Sequence, residues 1–168
     1  MTEFYTREQI DEELSQIHIE NWTYEPVAIE DWPVGGPMQP PLIPVDSSHR
    51  AEIAKRFGRF FKHERHFDGL PYEVGDESSS RHIYLIGSHE FLTLMPIAVG
   101  ALEVRYVGDF KVLEWVWLHP MERGQHRWET VWKALVERYG ELHIRQPISP
   151  PMRAFLTRKG LIDKKVFV

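Results

Sequence analysis

The chain has 168 residues and no cysteine, which excludes disulfide bonds, thiolate metal sites and a cysteine nucleophile. It also lacks an apolar run long enough to cross a bilayer, and its first residues lack the basic and apolar regions of a signal peptide. No G-x-S-x-G motif is present, so nothing supports a serine hydrolase. The formal net charge of -5 disfavours a general nucleic-acid or anionic-membrane partner. We therefore expect a soluble, cytoplasmic protein.

A proline-rich stretch ends near residue 40 and divides the sequence into two parts. Before it, a capping-box motif and a short apolar periodicity predict a helix, and a stretch rich in proline and glycine then disfavours regular structure. Trp22, Tyr24 and Trp32 lie in this region, and such aromatic side chains are usually at least partly buried. We predict that residues 1–40 form an N-terminal helix and Pro-rich arm. This arm would pack on the main domain of residues 41–168, on a second copy in a homodimer, or on another protein.

The remaining residues show the periodicities of an α+β domain. Apolar helical patterns begin near Ser48, Gln125 and Pro150, and Gly108-Asp109 predicts a tight hairpin. The predicted strands cover residues 82–86, 91–95, 99–107, 111–118, 141–145 and 165–168. Three strands in a meander, followed by alternating helices and strands, predict a mixed, mainly antiparallel sheet flanked by helices.

The segment between the strand of residues 111–118 and the next helix has the features of an anion site. His119-Pro120 ends the strand, because proline lacks the N–H that a ladder needs. Arg123 and Arg127 follow in the turn, where they are either solvated or able to bind phosphates together. The first N–H groups of a helix have no internal partners, which suits an anion. This segment is a candidate acyl-carrier or nucleotide site.

In order and in local motif, residues 41–168 resemble the GCN5-related N-acetyltransferase (GNAT) family. Its apolar strand with a V-x-P step, followed by R/Q-x-x-G-x-G/A, looks like residues 117–120 and 123–128. Its closing helix is similar to residues 149–161, and its first strand and helix are similar to residues 42–61. The resemblance implies a GNAT-like fold and an acyl-CoA-dependent N-acyltransferase. The expected co-substrate is acetyl-CoA, and the expected acceptor is a small-molecule or protein amine.

The resemblance also assigns residues to coenzyme A, which would lie where the strand of residues 111–118 separates from that of residues 141–145. The backbone near Val116, Trp117 and Leu118 would pair with pantetheine. The pyrophosphate would be bound by the loop and helix start of Arg123, Gly124, Gln125, His126, Arg127 and Trp128. Ser149 is the remaining residue expected to bind the coenzyme.

Three positions depart from the family pattern. His126 and Trp128 stand where the family has glycines that allow the backbone to approach the pyrophosphate closely. Leu156 stands where the family often has a tyrosine that reprotonates the leaving thiolate, and leucine cannot donate a proton. These departures leave a second hypothesis, a catalytically inactive GNAT-fold protein that binds another protein.

Glu114 lies in the middle of an apolar strand, where a carboxylate is costly to bury unless it is paired or functional. By the resemblance it would be the catalytic base that removes a proton from the amine, and Glu103 on the preceding strand is the other candidate. The alternative is a salt bridge to Arg105 or Lys111 across the hairpin.

Two further patterns favour structural roles. Trp115 and Trp117 share one face of their strand, and core packing beneath a helix explains them best. His63 and His66 are spaced as two metal ligands on a helix would be, but no third ligand is evident. Solvated histidines near a helix C-terminus are the stronger interpretation, and we assign no metal site.

Overall fold

The computed structural model describes residues 27–32, 41–65, 69, 71–88, 97–124 and 126–167. Within these residues, seven strands form one sheet with helices packed on both of its faces. In chain order the elements are β1 (Val27–Ala28), β2 (Leu42–Pro44), α1 (Ser48–Arg65), β3 (Arg81–Gly87), β4 (Ile97–Val107), β5 (Phe110–Leu118), a 3-10 turn (Pro120–Glu122), α2 (Arg127–Tyr139), β6 (His143–Arg145), α3 (Pro150–Arg158), α4 (Ile162–Lys165) and β7 (Val166–Phe167).

The strand order is β2-β3-β4-β5-β6-β7, and β1 pairs with β4. Pairing is antiparallel from β2 to β5 and between β1 and β4, whereas β6 is parallel to both β5 and β7. The predicted α+β fold with a mixed, mainly antiparallel sheet is confirmed. The strands predicted at residues 82–86, 99–107 and 111–118 are present as β3, β4 and β5, and the hairpin turns at Gly108, where φ is 58°.

Other predicted elements have shifted ends. The strand predicted at residues 141–145 is shorter, because α2 extends to Tyr139 and Gly140 ends it with a φ of 71°. Lys165 lies in the short helix α4 and not in the final strand. The strand predicted at residues 91–95 lies outside the described residues.

The apolar side chains divide between the two faces of the sheet. On one face α1 packs its phenylalanines against β5, where the rings of Phe57 and Trp117 stack with centroids 5.3 Å apart. Trp115 lies in the same cluster, so the prediction that both tryptophans pack beneath a helix is confirmed. On the opposite face α2 and α3 pack on β3, β4 and β5, and this cluster includes the fully buried Leu156.

A β-bulge in β5 changes the face of the sheet on which its apolar side chains pack. Glu103 pairs with Trp115, and the next β4 residue, Val104, pairs with Leu113, so Glu114 is an extra residue without a partner in β4. Consequently Leu113 packs on the α2 face while Trp115 packs on the α1 face. Bulges of this kind redirect side chains and are frequent beside active sites.

Of the arm predicted at residues 1–40, the structure describes residues 27–32. Ile29 is fully buried there, and Trp32 is half-buried beneath the guanidinium group of Arg50, which lies 5.5 Å from the ring centroid. Asp31 accepts a 2.9 Å hydrogen bond from Arg50 Nε. Trp22, Tyr24 and the predicted N-terminal helix lie outside the described residues, so the division near residue 40 stays a prediction.

Candidate functional site

The strands β5 and β6 separate soon after they pair. Their parallel register covers only Val112 with His143 and Leu113 with Ile144. β5 then continues to Leu118, whereas the chain leaves β6 after Arg145 and turns into α3. Within the described residues, the edge of β5 beyond Leu113 therefore has no neighbouring strand on the β6 side. A cavity of about 760 Å³ lies at this edge, and we call it the β5 cleft.

The β5 cleft is lined by residues from α1, β5, the loop before α2, the first turn of α2, β6 and α3. Most of the residues assigned to the site from sequence are among them: Glu114, Val116, Trp117, Leu118, Arg123, Gly124, His126, Trp128 and Ser149. Gln125 lies outside the described residues, and Arg127 is not part of the lining. The structure thus brings nine of the eleven predicted side chains or backbones to one cavity.

The carbonyl groups of β5 point in alternate directions near its end. The carbonyl oxygen of Trp117 faces β4, since a Cβ added at Gly100 would lie 2.2 Å from it. The carbonyl oxygen of Leu118 instead accepts a 2.6 Å hydrogen bond from Arg123 Nε. Leu118 therefore offers an acceptor on the side of the loop, and one lone pair of this oxygen is left for a ligand.

Arg123 joins the end of β5 to the end of α1. Its Nη2 donates to both carboxylate oxygens of Glu64, at 3.1 and 2.8 Å, and its guanidinium group lies 5.6 Å from the ring centroid of Trp117. These contacts use Nε and Nη2. Within the described part of the chain, Nη1 makes no hydrogen bond, so Arg123 can still donate to a ligand in the cleft.

The two bulky residues of the loop lie differently from each other. His126 precedes α2 with a φ of 59°, and its side chain is 86% exposed, so the imidazole lies largely in solvent. Trp128 is half-buried, and its ring contacts Trp132 and Phe155 with centroids 6.1 Å away in each case. Beside Gly124, where φ is 78°, a Cβ would meet no atom within 4 Å, so the backbone there is open to a ligand.

The prediction that Arg123 and Arg127 bind phosphate as a pair is wrong for the side chain of Arg127. Arg127 is buried, and its Nη2 donates to the carbonyl oxygen of Gly87 at the end of β3. Burial lowers the pKa of this guanidinium group, and the nearby carboxylate of Glu122 opposes that effect. The physical reason for the error is helix geometry: Arg127 shares the buried face of α2 with Val131 and Leu135.

Glu114 lies in the β5 cleft and is paired with an arginine that the sequence did not indicate. Its two carboxylate oxygens accept hydrogen bonds from Arg145, at 2.6 Å from Nη2 and 3.0 Å from Nε. This hydrogen bonding raises the pKa of Arg145. The expected partners contribute less, since Arg105 lies 3.9 Å away and Lys111 donates to the carbonyl oxygen of Tyr139.

Glu103, the other candidate base, lies in a buried network of hydrogen bonds. It is fully buried and accepts hydrogen bonds from Arg81, Arg105 and Trp115 at 2.8 to 3.1 Å. Glu103 also forms a salt bridge with Arg105, but both residues lie on β4, so this pair is not the salt bridge across the hairpin that the alternative interpretation expected. Because Glu103 does not line the β5 cleft, a ligand in the cleft would meet only Glu114 of the two carboxylates.

Among the described residues, no group of three His, Asp or Glu side chains could bind a metal ion, and His66 lies outside them. None of the described helices is long and apolar enough to cross a membrane.

No protein-family profile and no curated protein matches the chain. Among solved structures it is similar to the solution structure of the candidate N-acetyltransferase YhhK from E. coli bound to coenzyme A, with a TM-score of 0.51 and 11% sequence identity. The match covers 73% of this chain and 91% of that one. At this identity the likeness shows the fold alone, and that fold is GNAT-like.

Proposed function

We propose that this chain is an acyl-CoA-dependent N-acyltransferase that uses acetyl-CoA, and the β5 cleft is the observation that carries the proposal. Its volume of about 760 Å³ falls in the range of roughly 300–1,000 Å³ of pockets that bind small molecules and cofactors. The cleft borders both the open edge of β5 and the first turn of α2. A protein of similar fold has been solved with coenzyme A.

The open edge of β5 suits the pantetheine arm of acetyl-CoA. Pantetheine alternates amide groups with short apolar segments, and the cleft offers both kinds of partner. The carbonyl oxygen of Leu118 can accept a hydrogen bond from an amide N–H, while Val116, Ile144 and Met152 provide apolar walls. A bound arm would take the place of the missing strand beside β5.

The loop before α2 suits the phosphates. The open backbone at Gly124, the free N–H groups at the start of α2 and Nη1 of Arg123 are donors that favour an anion. Glu129 lies in the same turn, but Lys159 and Arg158 approach its carboxylate to 3.5 and 3.6 Å. Lys159 is the main cause of the lowered pKa of Glu129, and these cations offset its repulsion of a phosphate.

Glu114 would assist the chemical step. The amine nitrogen attacks the thioester carbonyl carbon, so that a C–N bond forms, the C–S bond breaks and coenzyme A leaves as a thiolate. Glu114 would accept the proton released by the amine, directly or through water, on a lone pair that Arg145 does not use. Because Leu156 is fully buried and apolar, the thiolate would take its proton from water.

A thiol-release assay tests the activity. A thiol reagent detects the coenzyme A released from acetyl-CoA, and the protein adds no background because it has no cysteine. We expect amine-dependent thiol release that Glu114→Gln lowers at least about 100-fold. An absence of release with every amine tested, despite binding of acetyl-CoA, would refute transferase activity.

A second hypothesis, a catalytically inactive protein of the same fold that binds another protein, is favoured by two observations. Leu156 provides no acid at the position of the family's tyrosine, and Arg123 and Glu114 are already engaged by Glu64 and Arg145. Under this hypothesis no amine would stimulate thiol release.

A further inference from the structure

The β5 cleft reaches both faces of the sheet. Phe61, Glu64 and Arg65 line it from the last turn of α1, while α3 lines it from the opposite face. The proposed coenzyme A position uses the open edge of β5, the loop before α2 and the side of α3. The α1 end is then left for the acceptor amine, and Glu114 lines the same cleft.

The charges at the α1 end do not cancel. Glu64 is paired with Arg123 and Glu114 is paired with Arg145, so each carboxylate already has one guanidinium partner. Arg65 also lines the cleft and is exposed, and no carboxylate of the described residues lies within 4 Å of it. The described residues of the α1 end therefore carry one positive charge in excess, which attracts an anionic group and repels a substrate with several amino groups.

The same end offers an apolar surface. Phe61 is half-buried in α1, one turn before Arg65, and its ring centroid lies 5.8 Å from that of Trp115. Residues four positions apart lie on the same side of a helix. Phe61 and Arg65 can thus contact the apolar body and the acidic group of one small molecule.

We infer that the acceptor is an apolar amine that bears a carboxylate, such as an aromatic amino acid. This inference rests on the proposed function and specifies its substrate class. Arg65 binds the carboxylate with two parallel hydrogen bonds, Phe61 contacts the apolar side chain, and the amino group lies toward Glu114. Acetyl transfer then forms the C–N bond and breaks the C–S bond of acetyl-CoA. The amine proton passes to Glu114 or water, and the products are an N-acetyl amino acid and coenzyme A.

The first test compares two acceptors that differ only in the carboxylate, L-phenylalanine and phenethylamine, with acetyl-CoA as donor. We expect kcat/KM to be at least about ten-fold higher for L-phenylalanine, and Arg65→Gln to remove this preference. Arg153→Gln is the matched control, because Arg153 is an exposed arginine of α3 outside the cleft lining. An equal or higher kcat/KM for phenethylamine would overturn the inference and leave the transferase proposal intact.

The second test needs no catalysis. Binding of N-acetyl-L-phenylalanine and of N-acetylphenethylamine is measured by intrinsic tryptophan fluorescence in the wild type, Arg65→Gln and Arg153→Gln proteins. We expect only the carboxylate-bearing compound to bind, with an affinity at least about ten-fold weaker in Arg65→Gln alone. Equal binding of both compounds, or binding that Arg65→Gln leaves unchanged, would overturn the inference. A failure of acetyl-CoA to bind would refute the proposed function separately.

Discussion

Glu114 and Glu103 lie on neighbouring strands, and both are paired with arginine, but only Glu114 lines the β5 cleft. Replacing each in turn by glutamine therefore separates a catalytic carboxylate from a structural one. Glutamine keeps the size of the side chain and removes the charge. We predict that Glu114→Gln lowers the transfer rate with a small loss of stability, and that Glu103→Gln lowers stability with a small effect on transfer.

The environments of the two carboxylates give the expected magnitudes. Glu103 is fully buried, and its charge balances Arg81 and Arg105, which are 22% and 37% exposed. Its neutralisation should cost about 2–3 kcal/mol, at or just below the lower end of the roughly 3–5 kcal/mol for an opened buried ion pair, because both arginines keep contact with water. The melting temperature should then fall by roughly 4–12 °C. Glu114 is 14% exposed and Arg145 31%, so Glu114→Gln should cost only about 1–2 kcal/mol. If Glu114 is the base, kcat should fall at least about 100-fold.

Thermal unfolding and thiol release, measured on the same protein preparations, test both magnitudes. The affinity for acetyl-CoA should change little in either variant, because neither carboxylate is assigned to coenzyme A. A kcat of Glu114→Gln within a few-fold of the wild type would refute the catalytic role. If the Glu103→Gln protein were as stable as the wild type, the hydrogen bonds of Glu103 would not stabilise the fold as we predict.

Three further predictions follow from single contacts. Gly100→Ala should destabilise the protein by about 1–3 kcal/mol in urea unfolding, because the added Cβ would overlap the carbonyl oxygen of Trp117. An unchanged urea midpoint would contradict this, since it would mean that β4 and β5 can move apart without loss of stability. Burial raises the pKa of Asp31, but hydrogen bonds from Ser47 and Arg50 lower it, and in the folded protein this pKa lies below the ordinary 3.8. The ionised Asp31 therefore stabilises the folded state above pH 3.8. This stabilisation is lost as the pH falls through the pKa of Asp31 in the folded state. The stability difference between wild type and Asp31→Asn should accordingly shrink between pH 7 and pH 3, and a constant difference would contradict this. Arg123→Ala should weaken acetyl-CoA binding several-fold in a competition assay, since charge-assisted hydrogen bonds contribute about 1.5–3 kcal/mol; unchanged affinity would remove Arg123 from the site.

Local signals in the sequence were enough to predict the elements that frame the site. Pro120 follows β5 closely, and Ser149 caps α3 by accepting a 3.2 Å hydrogen bond from the backbone N–H of Met152. The β5 cleft followed from these elements, because a strand that separates from its parallel neighbour leaves an open edge. Glu114 was identifiable from sequence because a carboxylate in an apolar strand is costly to bury unless it is paired or functional.

The partners of the charged residues could not be predicted in the same way. The contact between Glu114 and Arg145 depends on the parallel register of β5 and β6, which a helical crossover sets and local sequence does not encode. The contact between Arg123 and Glu64 joins residues 59 positions apart. The burial of Arg127 had a sequence signal, since it lies four residues before Val131 on the apolar face of α2.

Isothermal titration calorimetry of the full chain with acetyl-CoA shows whether the β5 cleft binds the co-substrate, and it does not require the acceptor to be known. We predict micromolar affinity at one site per chain. The affinity should be retained or improved in His126→Gly, because the His126 side chain lies in solvent. An absence of binding heat at millimolar acetyl-CoA would contradict the transferase proposal and favour the inactive, protein-binding alternative.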